Sequence, residues 1–257
     1  MIKTDTLKVG QSRGAIQARA HRERTPEKTH SHTEIDRATL NTDGDIGPAE
    51  FLSMMHAGAK AIFAARDHLC ELDGEIGDGD HGITMEIGWK AVLKAHSTIN
   101  ETATITQISY SIATVFLDAV GASAGPLYAT GFRTAGEAVS DRLNLDAISM
   151  AKWLDGLAQG IAARGQTRIG EKTMLDAWRP AADAALALAQ EGASTSVCLS
   201  GAGEAAKEHA AATAGMRSAK GRSKKLGARV LGHIDPGAES AAILMTAWAN
   251  NFSKDSK

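Results

Sequence analysis

Pro48-Ala-Glu-Phe51-Leu52-Ser-Met-Met55-His-Ala-Gly-Ala59-Lys-Ala-Ile62-Phe63-Ala-Ala-Arg-Asp-His-Leu69 is the stretch that decides the fold class. Its apolar residues at 51, 52, 55, 59, 62, 63 and 69 recur every three or four positions, the period that lays them on one face of a helix. Pro48 stands where a first helical turn tolerates proline, because that N–H has no intrahelical partner. The spacing predicts one amphipathic helix running to about Leu72.

The same period continues outward along the chain. Ile83, Ile87 and Ala91 mark a second helix, and Ile105, Ile108, Ile112, Val115 and Phe116 a third that ends near Gly121. Pro126 to about Val139 suggests a fourth. Asp146 can cap a fifth, striped by Met150, Leu154, Leu157 and Ile161 and closed by Gly165. Thr173 to Gln190 reads as a sixth with a kink at Pro180, Ser196 to Ala219 as a seventh, and Asp235-Pro236 opens an eighth through Trp248. No window sustains the period-2 alternation of a strand. The fold class is all-α, with one domain over residues 46–257.

Composition narrows the function. The 257 residues are rich in alanine, carry 26 glycines and hold only 11 aromatics, so small side chains set much of the packing. With 28 Lys+Arg against 30 Asp+Glu the formal charge is -2, which offers no footprint for nucleic acid or an anionic membrane. Cys70 and Cys198 lack the spacing of a zinc site or a disulfide framework, which fits a reducing cytoplasm. No apolar run is long enough to span a bilayer. Residues 1–45 contain 8 Lys/Arg and 7 Asp/Glu with few large apolar residues, and read as a disordered or loosely attached extension; the acids count against a transit peptide.

Glycine-rich connections interrupt the helices, and a bundle that only packs does not require them. In Asp73-Gly-Glu-Ile-Gly-Asp78-Gly-Asp80-His81-Gly82, a continuous helix would put Asp78 about 140° from Asp73, whereas glycines at 77 and 79 let the chain break and the three carboxylates converge. Convergent carboxylates repel one another unless a cation sits among them, and an all-oxygen set suits Mg²⁺ or Ca²⁺. The register is wrong for an EF-hand. An exposed polar turn between helices has the same composition, so both readings stand at this point.

Gly121-Ala122-Ser123-Ala124-Gly125-Pro126 precedes a helix and offers free N–H groups, either as a phosphate seat or for close helix packing. Gly165 to Thr173 falls one residue from a Walker A loop but follows a helix, where a P-loop follows a strand. The last connection, Gly221-Arg222 to Gly232-His233-Ile234-Asp235-Pro236-Gly237, combines basic residues with a helix start, as an anion site or as a solvated basic turn.

Taken in order over residues 46–252, these loops, with Gly170-Glu-Lys-Thr-Met174-Leu-Asp-Ala-Trp178, resemble the L subunit of dihydroxyacetone kinases. The chain departs from that family's pattern in carrying Thr84 and the loop Gly121 to Gly125. The resemblance implies a closed barrel of eight antiparallel amphipathic helices with a nucleotide site in the loops at one end. It implies two Mg²⁺ ions on Asp73, Asp78 and Asp80, holding the phosphates of ADP or ATP. His81, Thr84, Gly121, Ala122, Ser123, Gly165, Met174, Arg222, Asp235, Pro236 and Gly237 would line the nucleotide site, Met174 against the adenine.

The ketose-binding half of such kinases has no counterpart in the chain. A separate K-type subunit, holding dihydroxyacetone or a tetrulose through a histidine, is therefore the implied partner, and a homodimer or hetero-oligomer is expected. The phosphoryl donor is either exchangeable ATP or a phosphotransferase-system protein recharging retained ADP. A non-catalytic nucleotide-sensing subunit is the rival from another class.

Overall fold

The computed structural model describes residues 46–97, 99, 102–140, 142–221 and 223–254. The extension expected over residues 1–45 lies outside them. Among the described residues there are nine α-helices: α1 (Pro48–Ala64), α2 (Arg66–Ile76), α3 (His81–His96), α4 (Ile105–Ala119), α5 (Ala124–Glu137), α6 (Ala147–Gly165), α7 (Leu175–Gln190), α8 (Thr195–Ala212) and α9 (Pro236–Lys254). The only β-type pairing described is an isolated bridge between Ile46 and Leu145. The all-α expectation holds.

Local chemistry explains most of the helix starts. Glu50 reaches back to accept the Gly47 N–H at 3.1 Å ahead of α1. Thr104 and Gln107 cap α4 reciprocally, as Asp146 and Ser149 do α6, while Ser194 accepts from the Val197 N–H at the head of α8. Each such cap is worth about 1 kcal/mol.

Helices α3 to α9 each pack on the next in order, and α9 returns to pack on α1, which packs on α3. Eight helices thus form a ring that closes on itself, with α2 set against α3 and α9. Asn251 near the end of α9 bonds Ser53 near the start of α1 at 3.1 Å, so the closing pair is antiparallel. The ring is filled with aromatic side chains. Trp89, Trp153, Trp178, Trp248, Tyr128, Phe51, Phe116 and Phe132 are all fully buried. Trp248 is the hub, with its ring centroid 6.5, 5.8 and 5.5 Å from those of Trp89, Trp153 and Trp178. Helix surfaces approach through small residues: a Cβ added at Gly160 would lie 2.7 Å from the Thr130 carbonyl oxygen, and one at Gly156 2.9 Å from the Ala135 Cα.

Several sequence expectations need correction. The first predicted helix is two: the chain turns at Ala65, and beyond it only Leu69 and Ile76 of α2 are buried. In α3, Ile83 and Ile87 are 40% and 47% exposed, and the inward face is Met85, Trp89 and Val92. Two stripes compete on that helix. The indole wins the interior because Gly88 leaves room for the Phe116 ring. Helix α7 starts at Leu175 rather than Thr173 and holds Pro180 as its sixth residue. Gln166, not Gly165, takes the left-handed position that ends α6, with φ 48°. The seventh helix stops at Ala212 rather than Ala219, because Thr213 is drawn into tertiary hydrogen bonds described below.

Gly160→Ala is expected to lower stability by about 1–3 kcal/mol in urea unfolding, since the methyl meets backbone of α5. Gly74→Ala, where an added Cβ meets nothing within 4 Å in α2, is expected to raise stability by about 0.5–1 kcal/mol. Equal effects at the two positions would contradict the close α5–α6 contact.

Candidate functional site

Asp73 lies in the last turn of α2, Asp78 in the connection, and Asp80 at the N-cap of α3. The carboxylate Oδ2 of Asp73 accepts the backbone N–H groups of Asp80 at 2.9 Å and His81 at 3.2 Å, so a residue seven positions upstream caps α3. That fold-back depends on glycine. Gly79 has φ +78°, and any Cβ on Gly77 would overlap the Asp73 carboxylate. The result brings one oxygen from each of Asp73, Asp78 and Asp80 within 4.8 Å of one another. Three anions this close, from three separate backbone positions, form a hard-oxygen donor set for a divalent cation such as Mg²⁺.

These acids line a cavity of about 710 Å³. Its wall takes residues from the N-terminal ends of α3 (His81, Thr84), α5 (Ala122 to Ala124), α7 (Thr173, Met174) and α9 (Asp235 to Gly237), and from the C-terminal end of α6 (Arg164, Gly165). Four helix N-termini turn their positive dipole ends on one space, which favours an anion. Lys172, Lys220 and Lys225 line the same cavity. A single space thus carries ligands for a cation and donors for an anion.

The loops of the wall are tied together by Lys172, which sequence reasoning passed over. It takes a left-handed φ of 58° and is buried. Its ammonium donates to the Thr213 carbonyl at 2.6 Å and to the His233 carbonyl. Thr213 in turn accepts the Asp235 N–H on Oγ1 at 2.9 Å, so the turn after α8 and the approach to α9 are locked on one side chain. Burial lowers the Lys172 pKa, opposed by the charges of Asp235 and Asp176. Asp176 is buried and accepts from the Gly170 and Thr173 N–H groups at 2.5 and 2.8 Å, which shapes the loop that presents Lys172. The signal available in the sequence was the Gly170-Glu-Lys-Thr run, and its failure as a P-loop hid the lysine's role.

Two further groups have displaced pKa values. Burial pushes His81 down to about 4 against the opposing charge of Asp73, so the ring is neutral at pH 7. Burial pushes Asp235 up to about 7, opposed by the Ala238 N–H that its carboxylate accepts at 2.8 Å and by Lys172.

Of the residues singled out from the sequence, Asp73, Asp78, Asp80, His81, Thr84, Ala122, Ser123, Gly165, Met174, Asp235, Pro236 and Gly237 all line this cavity. Gly121 adjoins it without lining it, and Arg222 lies outside the described residues. Met174 is buried beside Gly237, whose missing side chain lets the α7 and α9 starts meet: a Cβ there would lie 3.3 Å from Met174 Cβ. Among the described residues no helix is long and apolar enough to cross a membrane.

The family model for the DAK2 domain matches residues 75–250. The chain belongs to the DAK2 domain family. It is 39% identical over 179 residues to the ADP-binding subunit DhaL of PEP-dependent dihydroxyacetone kinase 1 from Listeria innocua, covering 70% of this chain and 84% of that protein. It is 34% identical over 183 residues to the corresponding subunit from Escherichia coli, covering 71% and 87%. Among solved structures, the dihydroxyacetone kinase of C. freundii in complex with AMP-PNP and Mg²⁺ matches with a TM-score of 0.60 at 23% identity, over 89% of this chain but 38% of that one. That likeness shows the fold alone, and this DAK2 chain spans little more than a third of the larger kinase.

Because Asp235 binds a proton more tightly in the folded state than in the unfolded chain, its contribution to stability falls as pH rises from about 4 to about 7 and stays low above that. Asp235→Asn keeps an acceptor for the Ala238 N–H and cannot ionise. Its melting temperature relative to the unaltered chain is expected to rise between pH 5 and pH 8. A gap that narrows over that interval would contradict the burial of this carboxyl.

Proposed function

We infer that the chain is the nucleotide- and Mg²⁺-binding subunit of a dihydroxyacetone-type kinase, acting with a separate K-type subunit that holds a short ketose. The observation that carries this is the pairing, in one cavity, of three convergent carboxylates with four helix N-termini and three lysines. A metal–phosphate group needs both halves at once. The family membership and the relatives' names support the same reading.

Asp73, Asp78 and Asp80 would hold two Mg²⁺ ions, which when bound neutralise the negative charge that spreads over the phosphoryl oxygens during transfer. The protein's own groups orient the nucleotide. The N–H groups at Ser123 and Ala124 face the phosphates, Met174 and Gly237 receive the base, and Lys172 holds the wall loops in register. Such transfer is mostly positioning and electrostatics, so no nucleophile from this chain is required. The acceptor hydroxyl comes from the partner's bound ketose, dihydroxyacetone or a tetrulose.

The relatives from Listeria and Escherichia are named ADP-binding subunits of PEP-dependent kinases. Their names favour ADP retained as a cofactor and recharged by a phosphotransferase-system protein over exchange with free ATP. Retention of ADP through gel filtration, without turnover on added ATP, is the expected result. Release of the nucleotide with ATP-driven turnover would assign the other donor.

The site itself is tested by Asp78→Asn combined with Asp80→Asn. Loss of Mg-ADP binding by at least about a hundredfold is expected in calorimetry, two charged ligands at about 1.5–3 kcal/mol each, with the helical circular dichroism retained. Unchanged affinity in the folded variant would remove the metal assignment.

A further inference from the structure

Lys172 is a lysine where the backbone favours glycine. Its φ of 58° lies in the left-handed region, which is unfavourable for a residue with a Cβ, and its side chain is nonetheless buried at the wall of the cavity. Such a conformation persists only where the surroundings fix it.

Here the ammonium supplies the fixing. It donates to the carbonyls of Thr213, in the turn after α8, and of His233, on the approach to α9. Thr213 Oγ1 accepts the Asp235 N–H at 2.9 Å and donates to the Ala210 carbonyl at 2.6 Å, and the Gly232 N–H reaches the Ala214 carbonyl at 2.8 Å. The approach to α9 is thereby seated on the end of α8. The Ala219 N–H donates to the Glu171 carbonyl at 3.1 Å, which binds the lysine's own loop to the same turn.

These bonds decide where two particular residues stand. Met174 follows Lys172 by two positions, and Gly237 follows His233 by four. They meet so closely that a Cβ on Gly237 would lie 3.3 Å from Met174 Cβ, and a shift of either loop would part them. The carboxylates are gathered in another way. Asp73 Oδ2 accepts the N–H groups of Asp80 and His81 within the α2–α3 connection, and neither bond involves Lys172. Nor is the lysine placed as the counter-charge of a phosphate: two of its three ammonium protons go to carbonyl oxygens, and Asp235 and Asp176 act on the same charge.

We propose that Lys172 is a positioning residue for the nucleotide base alone, setting Met174 against Gly237 while the carboxylates hold metal and phosphate independently of it. The inference rests on the function proposed above and divides that site into two separable halves.

The test compares Mg-ADP with Mg-pyrophosphate, which brings the phosphates without a base, in calorimetry on the full chain. Lys172→Met is expected to bind Mg-ADP at least about tenfold more weakly, the loss of one hydrogen bond to a charged group, with Mg-pyrophosphate affinity held within about twofold. Thr213→Val keeps the lysine and removes the oxygen that receives the Asp235 N–H; Thr213 does not line the cavity, and the same split is expected. This second variant decides the matter if Lys172→Met does not fold. A variant that merely folds less well loses both ligands alike, so equal losses overturn the proposal, as does unchanged Mg-ADP affinity. A larger loss for pyrophosphate would make Lys172 a phosphate ligand instead. An unaltered chain that binds Mg-ADP but no Mg-pyrophosphate would overturn the division into halves and leave the kinase role intact. Binding of neither ligand by the unaltered chain would remove the kinase role, and this inference with it.

Discussion

The organisation of this molecule depends on a constraint of parity. Once neighbouring helices run up and down around a closed ring, every second helix begins at the same end. Here α3, α5, α7 and α9 begin at one cavity. No single N-terminus would gather much charge, but four dipole ends around one space, with the lysines of its wall, favour a polyanion. The acids of the α2–α3 connection enter the same space because Asp73 turns that connection back on itself.

Ring closure itself rests on two complementary uses of residue size. Glycines at the helix contacts let backbones approach, as between α5 and α6. The room left inside is taken by four tryptophans and their aromatic neighbours. A chain with few aromatics thus spends most of them on one interior. Truncating a buried tryptophan of this kind costs about 3–5 kcal/mol, so the scaffold that aims the helix ends is rigid where the loops are not regular. Rigidity reaches the loops through Lys172, whose ammonium holds two carbonyls from segments 20 residues apart.

Much of this was legible from residue types in order. Apolar spacing marked α4, α6 and α9, caps at Thr104 and Asp146 act locally, and the glycines of the Asp73 to Gly82 run allowed the three carboxylates to converge, as they do. The illegible parts share a cause. At Ala65 nothing in the Ala-Ala-Arg run breaks a helix; α2 turns off to pack on α3 and α9. Ile83 and Ile87 make as good a stripe as Met85, Trp89 and Val92 until Phe116 arrives from another helix. Helix α8 ends early because Thr213 is held by Lys172 and Asp235, both distant in sequence.

The sequence by itself determined the all-α class, most helix positions and the chemistry of the acidic loop, because these rest on periodicity, capping and glycine conformation within about ten residues. The tertiary structure alone decided that the loops share one cavity, that Lys172 is its tie, that His81 meets Ser240 and that Trp178 meets Tyr128. Those are contacts between residues 41 to 159 positions apart, and a hydrogen bond over such a separation exists only once the ring has closed and removed water from around it.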